Sequence, residues 1–358
     1  MLALAALALL CLPAPLAART VTLSNTALPR DTRGDPILTG ETSVLSFNGT
    51  FYFYVNNWGG CAGVDCCPSS AGCASCCFAG PADPCVYTAN HSVVLYSTSD
   101  FTAWTPHGEV LGVGARRAGT EFRPQVVYCA ATGLFVLWYE DRWTTGGANP
   151  GYAVATAPAP TGPFTTAADS VRRGGRGRVG DYDVFVDPAS GDAFHIRTGL
   201  SIQRLARGNF SAPDGAAVDV PNGGVEGPAM FLRNGIYYML VGAGCCACRG
   251  GSNVLVYTAP SPLGPFALRG DVGSNRTAGH AFDAHSPWNY VTRAQQTKVV
   301  PVTAADGSVQ YLWVGNQWVT SGGPRDADLL FFQVLKFDAA GDIEQMEWAE
   351  TCELSLPD

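Results

Sequence analysis

Five stretches of the chain place acidic or amide side chains at the start of an aliphatic run. They are Glu41 in TGETSVL, Glu121 and Arg123 in TEFRPQVVY, Asp181 and Asp183 in GDYDVFV, Glu226 in VEGPAMF, and Gln295 with Gln296 in RAQQTKVV. Four of the five carry a carboxylic acid. Carboxyls held in unlike surroundings can divide proton donation and proton acceptance between them. The forked donors of Arg123, between Phe122 and Pro124, can bond hydroxyls or form an ion pair with Glu121 or Asp181. None of this is chemistry until a fold brings the five stretches together. Recurrence at equivalent positions of a repeat predicts one shared site.

The positioning elements are hairpins. A hydrophobic strand, a Gly-containing turn and an aromatic-rich strand recur, followed by a third alternating segment. The units begin at ETSVLSFNGTFYFYVNNW, RPQVVYCAATGLFVLWYED, DYDVFVDPASGDAFHIRTG, EGPAMFLRNGIYYMLVGAG and QQTKVVPVTAADGSVQYLWVGNQW. TAPAPTGPF and TAPSPLGPF, in the second and fourth units, are close internal copies. Five units of roughly 70 residues match four-stranded blades with long loops, and radial repetition spares short antiparallel strands a long exposed edge. The expectation is an all-β, five-bladed β-propeller over residues 19–358; a β-sandwich would not explain the repeat order. In a propeller the innermost strands line the axis, so the residues that start them meet at one mouth.

The 358 residues are 47% hydrophobic and 15% charged, with 42 Gly and 24 Pro, which excludes a disordered chain and favours short strands over long helices. Residues 1–18 read as a secretory signal peptide ending in small residues, and no later segment is apolar enough to span a bilayer. Export fits the cysteines, because 12 of the 13 remain once Cys11 is removed, an even number suited to disulfides. Seven of them, from Cys61 to Cys85, crowd an insertion at 59–86, and Cys245, Cys246 and Cys248 follow the fourth unit. The Cys73 to Cys76 spacing is open to zinc or to disulfides. Sequons at Asn48, Asn90, Asn209 and Asn275 would carry glycans in a eukaryotic secretory pathway. A net charge of -8 argues against a nucleic-acid partner, no nucleotide, haem or flavin signature is present, and the five His lack ligand spacing, so neither cofactor nor metal is expected.

In motif order the chain resembles glycoside hydrolase family 43, and within it the exo-β-1,3-galactanase branch. DTRGDPI resembles the branch's DT-DG-x-PI opening, FRPQVVYCAATGLFVLWY its ERPKV-x-YN-x-x-TG-x-YVMW segment, and GDYDVFVD its RDMTLFVD. EGPAMFLRNGIYYML is similar to EAPAMFKRNGTYYL, AQQTKVVPV to SQSTYVLPL, and VGNQW to MGDRW. The resemblance implies a secreted glycosidase, inverting and exo-acting on galactan or a related plant or algal polysaccharide, expected as a monomer. It implies Glu226 as the acid, Asp181 as the residue that orients it, and Gln295 as the amide that holds the attacking water. Glu41 and Glu121 are candidates for a base or a substrate contact, and Arg123, Trp58, Trp288 and Asn316 for substrate binding. Trp143 and Trp318 also fall where an indole can stack on a sugar or pack in the core.

Three positions depart from the branch. Its AHGG appears as TGET, its ERPKV Glu has become Phe122, and the Asp of GDRW has become Asn316. Such drift points either to a different sugar or to lost catalysis, so a carbohydrate-binding propeller without turnover stands beside the enzyme. A third alternative is an adhesive propeller using its Cys-rich rim.

Overall fold

Alternating β-branched, aromatic and polar side chains, punctuated by turn residues, make this chain a series of antiparallel hairpins. A computed structural model describes residues 18–57, 91–117, 120–142, 151–177, 179–221, 226–242, 251–274, 291–317 and 328–357. The first blade comprises β2 (Ser43–Phe47), β3 (Thr50–Asn57), β4 (Ser92–Thr98) and β5 (Thr105–Leu111). β1 (Ala18–Ser24) precedes it. The second comprises β6 (Thr120–Cys129), β7 (Leu134–Arg142), β8 (Gly151–Ala157) and β9 (Thr165–Val171). The third comprises β10 (Tyr182–Val186), β11 (Ala193–Arg197), β12 (Ser201–Arg204) and β13 (Val218–Asp219). The fourth comprises β14 (Glu226–Arg233), β15 (Ile236–Gly242), β16 (Leu255–Ala259) and β17 (Ala267–Asp271). Among the described residues the fifth has three strands, β18 (Gln295–Thr303), β19 (Val309–Gln317) and β20 (Leu329–Val334). The chain ends with β21 (Thr351–Pro357).

Two hairpins show how local sequence sets register. Asn48–Gly49 joins Phe47 to its partner Thr50, and Asn234–Gly235 joins Arg233 to Ile236. All four turn residues have positive φ, between 49° and 78°, the conformation a two-residue turn needs to match strand twist. The two internal copies form the same turn between the third and fourth strands of their blades, each with a cis Gly–Pro bond. Asn48 and Asn209, two of the sequon residues, are exposed.

The core consists of five apolar clusters, one between each pair of neighbouring blades. Tyr54 and Leu95 meet Val126 and Leu137; Trp138 and Val136 meet Val184 and Leu205; Ile196 and Ile202 meet Met239 and Val241; Phe231 and Leu240 meet Trp313 and Phe331. The fifth cluster closes the ring, bringing Leu312 and Val314 against Val44 and Phe53 together with Val21, Leu23, Leu354 and Leu356 of the paired β1 and β21. Buried Asn25 locks that ribbon to the fifth blade: its Nδ2 donates to the carbonyls of Phe332 and Ala349 at 3.0 Å, and its Oδ1 accepts the Phe332 amide at 2.7 Å.

One expectation needs correcting. Cys129 and Cys352 are buried free thiols, so the twelve cysteines beyond residue 18 do not all pair. Both project from strands into apolar clusters, and burial pushes the Cys352 thiol up to about 11. Residues 1–17, the 59–86 insertion with its seven cysteines, and Cys245, Cys246 and Cys248 lie outside the described residues. Among the described residues no helix is long and apolar enough to cross a membrane.

Candidate active site

The five innermost strands are β2, β6, β10, β14 and β18, and their first residues converge at one mouth of the axis. Arg123 is the hub. A β-bulge between Phe122 and Gln125 interrupts the β6–β7 register, and Arg123 takes a φ of 50° there. Its guanidinium is 2% exposed, with Nη2 2.8 Å from Asp181 Oδ2. Its backbone N–H donates to Glu41 Oε2 at 3.1 Å, and its carbonyl accepts the Tyr182 hydroxyl at 2.7 Å. Asp181 Oδ2 accepts a second bond, from Gln295 Nε2 at 3.2 Å. Gln295 is itself 1% exposed, and its Oε1 has no hydrogen-bond partner.

Glu226 joins this network through its neighbour. Gly227 has a φ of +59°, and a Cβ there would lie 3.1 Å from the Gln296 carbonyl and 3.4 Å from the Gln295 side chain. A side chain there would be strained by the backbone conformation and would press on the Gln296 carbonyl. The approach sets the Gly227 backbone against Gln295 and Gln296, and Glu226, next to it at the start of the bulge, stays partly exposed at the mouth. Burial opposes the charge of Arg123, but the carboxylates of Asp181, Glu41, Glu140 and Glu226 outweigh it and hold the guanidinium above its ordinary value. Sequence-predicted Glu41, Arg123, Asp181, Glu226 and Gln295, from five different blades, therefore belong to one cluster.

A second layer lies beneath it. Asp183, fully buried, accepts the Met230 amide at 2.8 Å and the ammonium of Lys298. Lys298 also donates to the Val184 carbonyl at 3.1 Å and to Gln125 Oε1 at 3.4 Å. Sequence reasoning passed over Lys298, although a Lys inside the TKVVPV run carried the signal: a lysine in a buried strand needs a partner. Below this layer the axis is an apolar cavity of about 420 Å³, lined by Val126, Val184, Met230 and Val299 among others, at the end remote from the carboxylates.

Two expected residues take other places. Asn316 is 2% exposed, its Oδ1 accepting the Thr42 amide at 3.2 Å and its Nδ2 donating to the Thr39 carbonyl. It thereby anchors the turn that carries Glu41. Glu121 is completely enclosed, and neither carboxyl oxygen has a hydrogen-bond partner. Burial pushes it up to about 8, against the pull of Arg116 and with help from Glu41 and Glu140. At neutral pH it is largely protonated. Glu140, which sequence reasoning did not single out, is the direct cross-strand partner of Phe122 and shares its face of the sheet. Trp58, Trp143, Trp288 and Trp318 lie outside the described residues.

The solved structures that share this fold include three with related names. A GH43 β-1,3-galactosidase with galactodeoxynojirimycin aligns at a TM-score of 0.70 and 20% identity over 92% of this chain and 99% of that one. The exo-β-1,3-galactanase from Clostridium thermocellum aligns at 0.66 and 21% over 90% of this chain and 64% of that one. The exo-β-1,3-galactanase from Phanerochaete chrysosporium with galactose aligns at 0.66 and 19% over 92% of this chain and 68% of that one. No protein-family model and no curated protein matches the chain. The likeness establishes the five-bladed propeller.

Proposed function

We propose that this protein is a glycoside hydrolase that removes galactose from the ends of β-1,3-galactan or a closely related galactan, with inversion. The observation that carries the reading is the meeting of Glu226, Asp181, Gln295 and Glu41 around Arg123 at one mouth. Structures of the same fold that carry galactosidase and galactanase names support the substrate class.

Glu226 gives its proton to the glycosidic oxygen as the bond to C1 breaks, and water attacks C1 from the opposite face. Gln295 is tied by its amide N–H to Asp181, so its Oε1 is presented in one orientation to accept a hydrogen from that water. Glu121 holds its own proton at neutral pH, and Glu41, held at the mouth by the Arg123 backbone N–H, takes the proton the water loses. Arg123 fixes Glu41 and Asp181 relative to each other. We read the chain as exported, on the apolar run of residues 1–18 and the exposed Asn48 and Asn209.

The test compares purified protein with its Glu226→Gln variant on β-1,3-galactan, arabinan and xylan. The expected result is galactose from the first polymer only, falling ~10³-fold in the variant while affinity for the polymer holds. A second reading, a binding propeller without turnover, is favoured by the apolar Phe122 and by Asn316 being bound to backbone. Polymer binding with no sugar released by the wild type would select it.

A further inference from the structure

Between the second and third blades the packing changes character along the strands. At one end Trp138, Val154, Val184 and Leu205 form an apolar cluster. Towards the other, the same face of the third blade presents His195 and Arg197 from β11 and Ser201 and Gln203 from β12. The segment leaving β9, residues 172–177, crosses over them. Arg197 Nη2 donates to the carbonyls of Gly174 at 3.0 Å and Gly175 at 2.7 Å, and Gln203 Oε1 accepts the Gly174 amide at 3.0 Å. Arg173 returns from that segment, its Nη2 donating to the carbonyls of His195 at 3.1 Å and Gln203 at 3.4 Å.

The remaining polar atoms find no partner. Arg173 Nε and Nη1, Arg197 Nε, both ring nitrogens of His195 and the Thr198 hydroxyl are buried without a hydrogen-bond partner. His195 is fully enclosed and Arg197 is 4% exposed. Among the described residues no carboxylate forms an ion pair with either arginine; Asp219 feels the charge of Arg197 but is held by the Arg176 backbone at 2.9 Å and its side chain at 3.4 Å. Burial, with Arg197 adding and Tyr152 opposing, draws Arg173 down to about 9, and burial with both arginines keeps His195 neutral. Guanidinium groups largely buried with no carboxylate in contact are costly, and an arginine does not escape the cost by losing its proton at neutral pH. Water would satisfy the N–H groups but not the charge.

We propose that Arg173, Arg197 and His195 form a binding site for a small oxyanion of the phosphate or sulfate class, seated between the second and third blades. The two guanidiniums supply charge and charge-assisted N–H bonds, and neutral His195 supplies one further N–H. The covering segment keeps the ligand small: a Cβ on Gly175 would lie 1.9 Å from Ser201 Oγ, so the backbone already sits against the sheet. The site is distinct from the carboxylate mouth. It braces that mouth from behind, because His195 stacks on Tyr182 at 4.7 Å and 4°, and the Tyr182 hydroxyl holds the Arg123 carbonyl.

The test is thermal unfolding of the full chain with sodium phosphate, sulfate or chloride at matched ionic strength, for wild type and Arg173→Gln. Wild type is expected to show a saturable rise of about 5 °C with phosphate or sulfate at a hundred times the dissociation constant. Arg173→Gln should keep only the gradual, non-saturating rise that excluded anions give most proteins. Should that variant fail to fold, crystals of the wild type soaked in selenate locate the anion directly by anomalous scattering. No saturable rise in wild type, an equal rise with chloride, or water in place of selenate at the Arg173 and Arg197 donors would overturn the proposal.

Discussion

The two ends of the same five inner strands are built on different principles. At the far end the strands pair in regular register and line an apolar cavity. At the mouth, β6, β14 and β18 each carry a register shift, between Phe122 and Gln125, Glu226 and Ala229, and Gln296 and Lys298. There Glu41, Arg123 and Gly227 all have positive φ. Non-glycine residues in that region store backbone strain that persists only where surrounding contacts impose it. The aliphatic end holds the ring together, and its stability permits a strained, polar mouth in which carboxylates from several blades share one arginine.

Changing the hub should break this contrast most severely. Arg123→Met leaves Asp181 and Glu41 without their cation, and we expect a loss of ~4 kcal/mol in chemical denaturation and at least ~100-fold in turnover. Lys298→Met strips the partner from fully buried Asp183 and should cost ~3 kcal/mol. Adding Asp183→Asn to it should recover part of that, since a neutral amide tolerates the site better than an unpaired carboxylate.

Glu121→Gln should act in the opposite direction and depend on pH. The folded protein holds the Glu121 proton up to about 8, whereas the unfolded chain releases it near 4.5. Between those values the folded state binds more protons, so stability falls as pH rises through them. The Gln variant lacks that loss: it should match wild type near pH 4 and exceed it progressively as the pH rises to about 8 in urea titrations. The smallest effect is expected at the aliphatic end. Val300→Ala should cost ~1.5 kcal/mol and leave turnover unchanged. A large kinetic effect there would erase the distinction between the two ends.

How much of this was legible in the sequence follows the same division. The blades were readable because their determinants are local: Asn–Gly turns, alternating strands and two copied segments. The five strand starts were readable from their repeat positions, and the Arg123 to Asp181 ion pair was among the alternatives weighed. The bulges were not, because a register shift depends on which cross-strand partner an amide finds, which no local pattern records. So the close approach of Gly227 to Gln295 and Gln296 was hidden. Lys298 looked like an ordinary strand residue, Asn316 like a sugar contact although its amide holds the Thr39 to Thr42 turn, and Cys129 and Cys352 like halves of disulfides. In each case the deciding contact is made with a distant part of the chain.

The central claim, that the mouth hydrolyses a galactan with Glu226 as acid and an oriented water as nucleophile, is tested most directly by proton NMR of β-1,3-galactotriose hydrolysis, followed from the first minute. The account predicts galactose released from the chain end, first as the α-anomer and only later as the equilibrium mixture. The β-anomer appearing first would contradict the inverting arrangement, and intact galactotriose bound without turnover would contradict the enzyme.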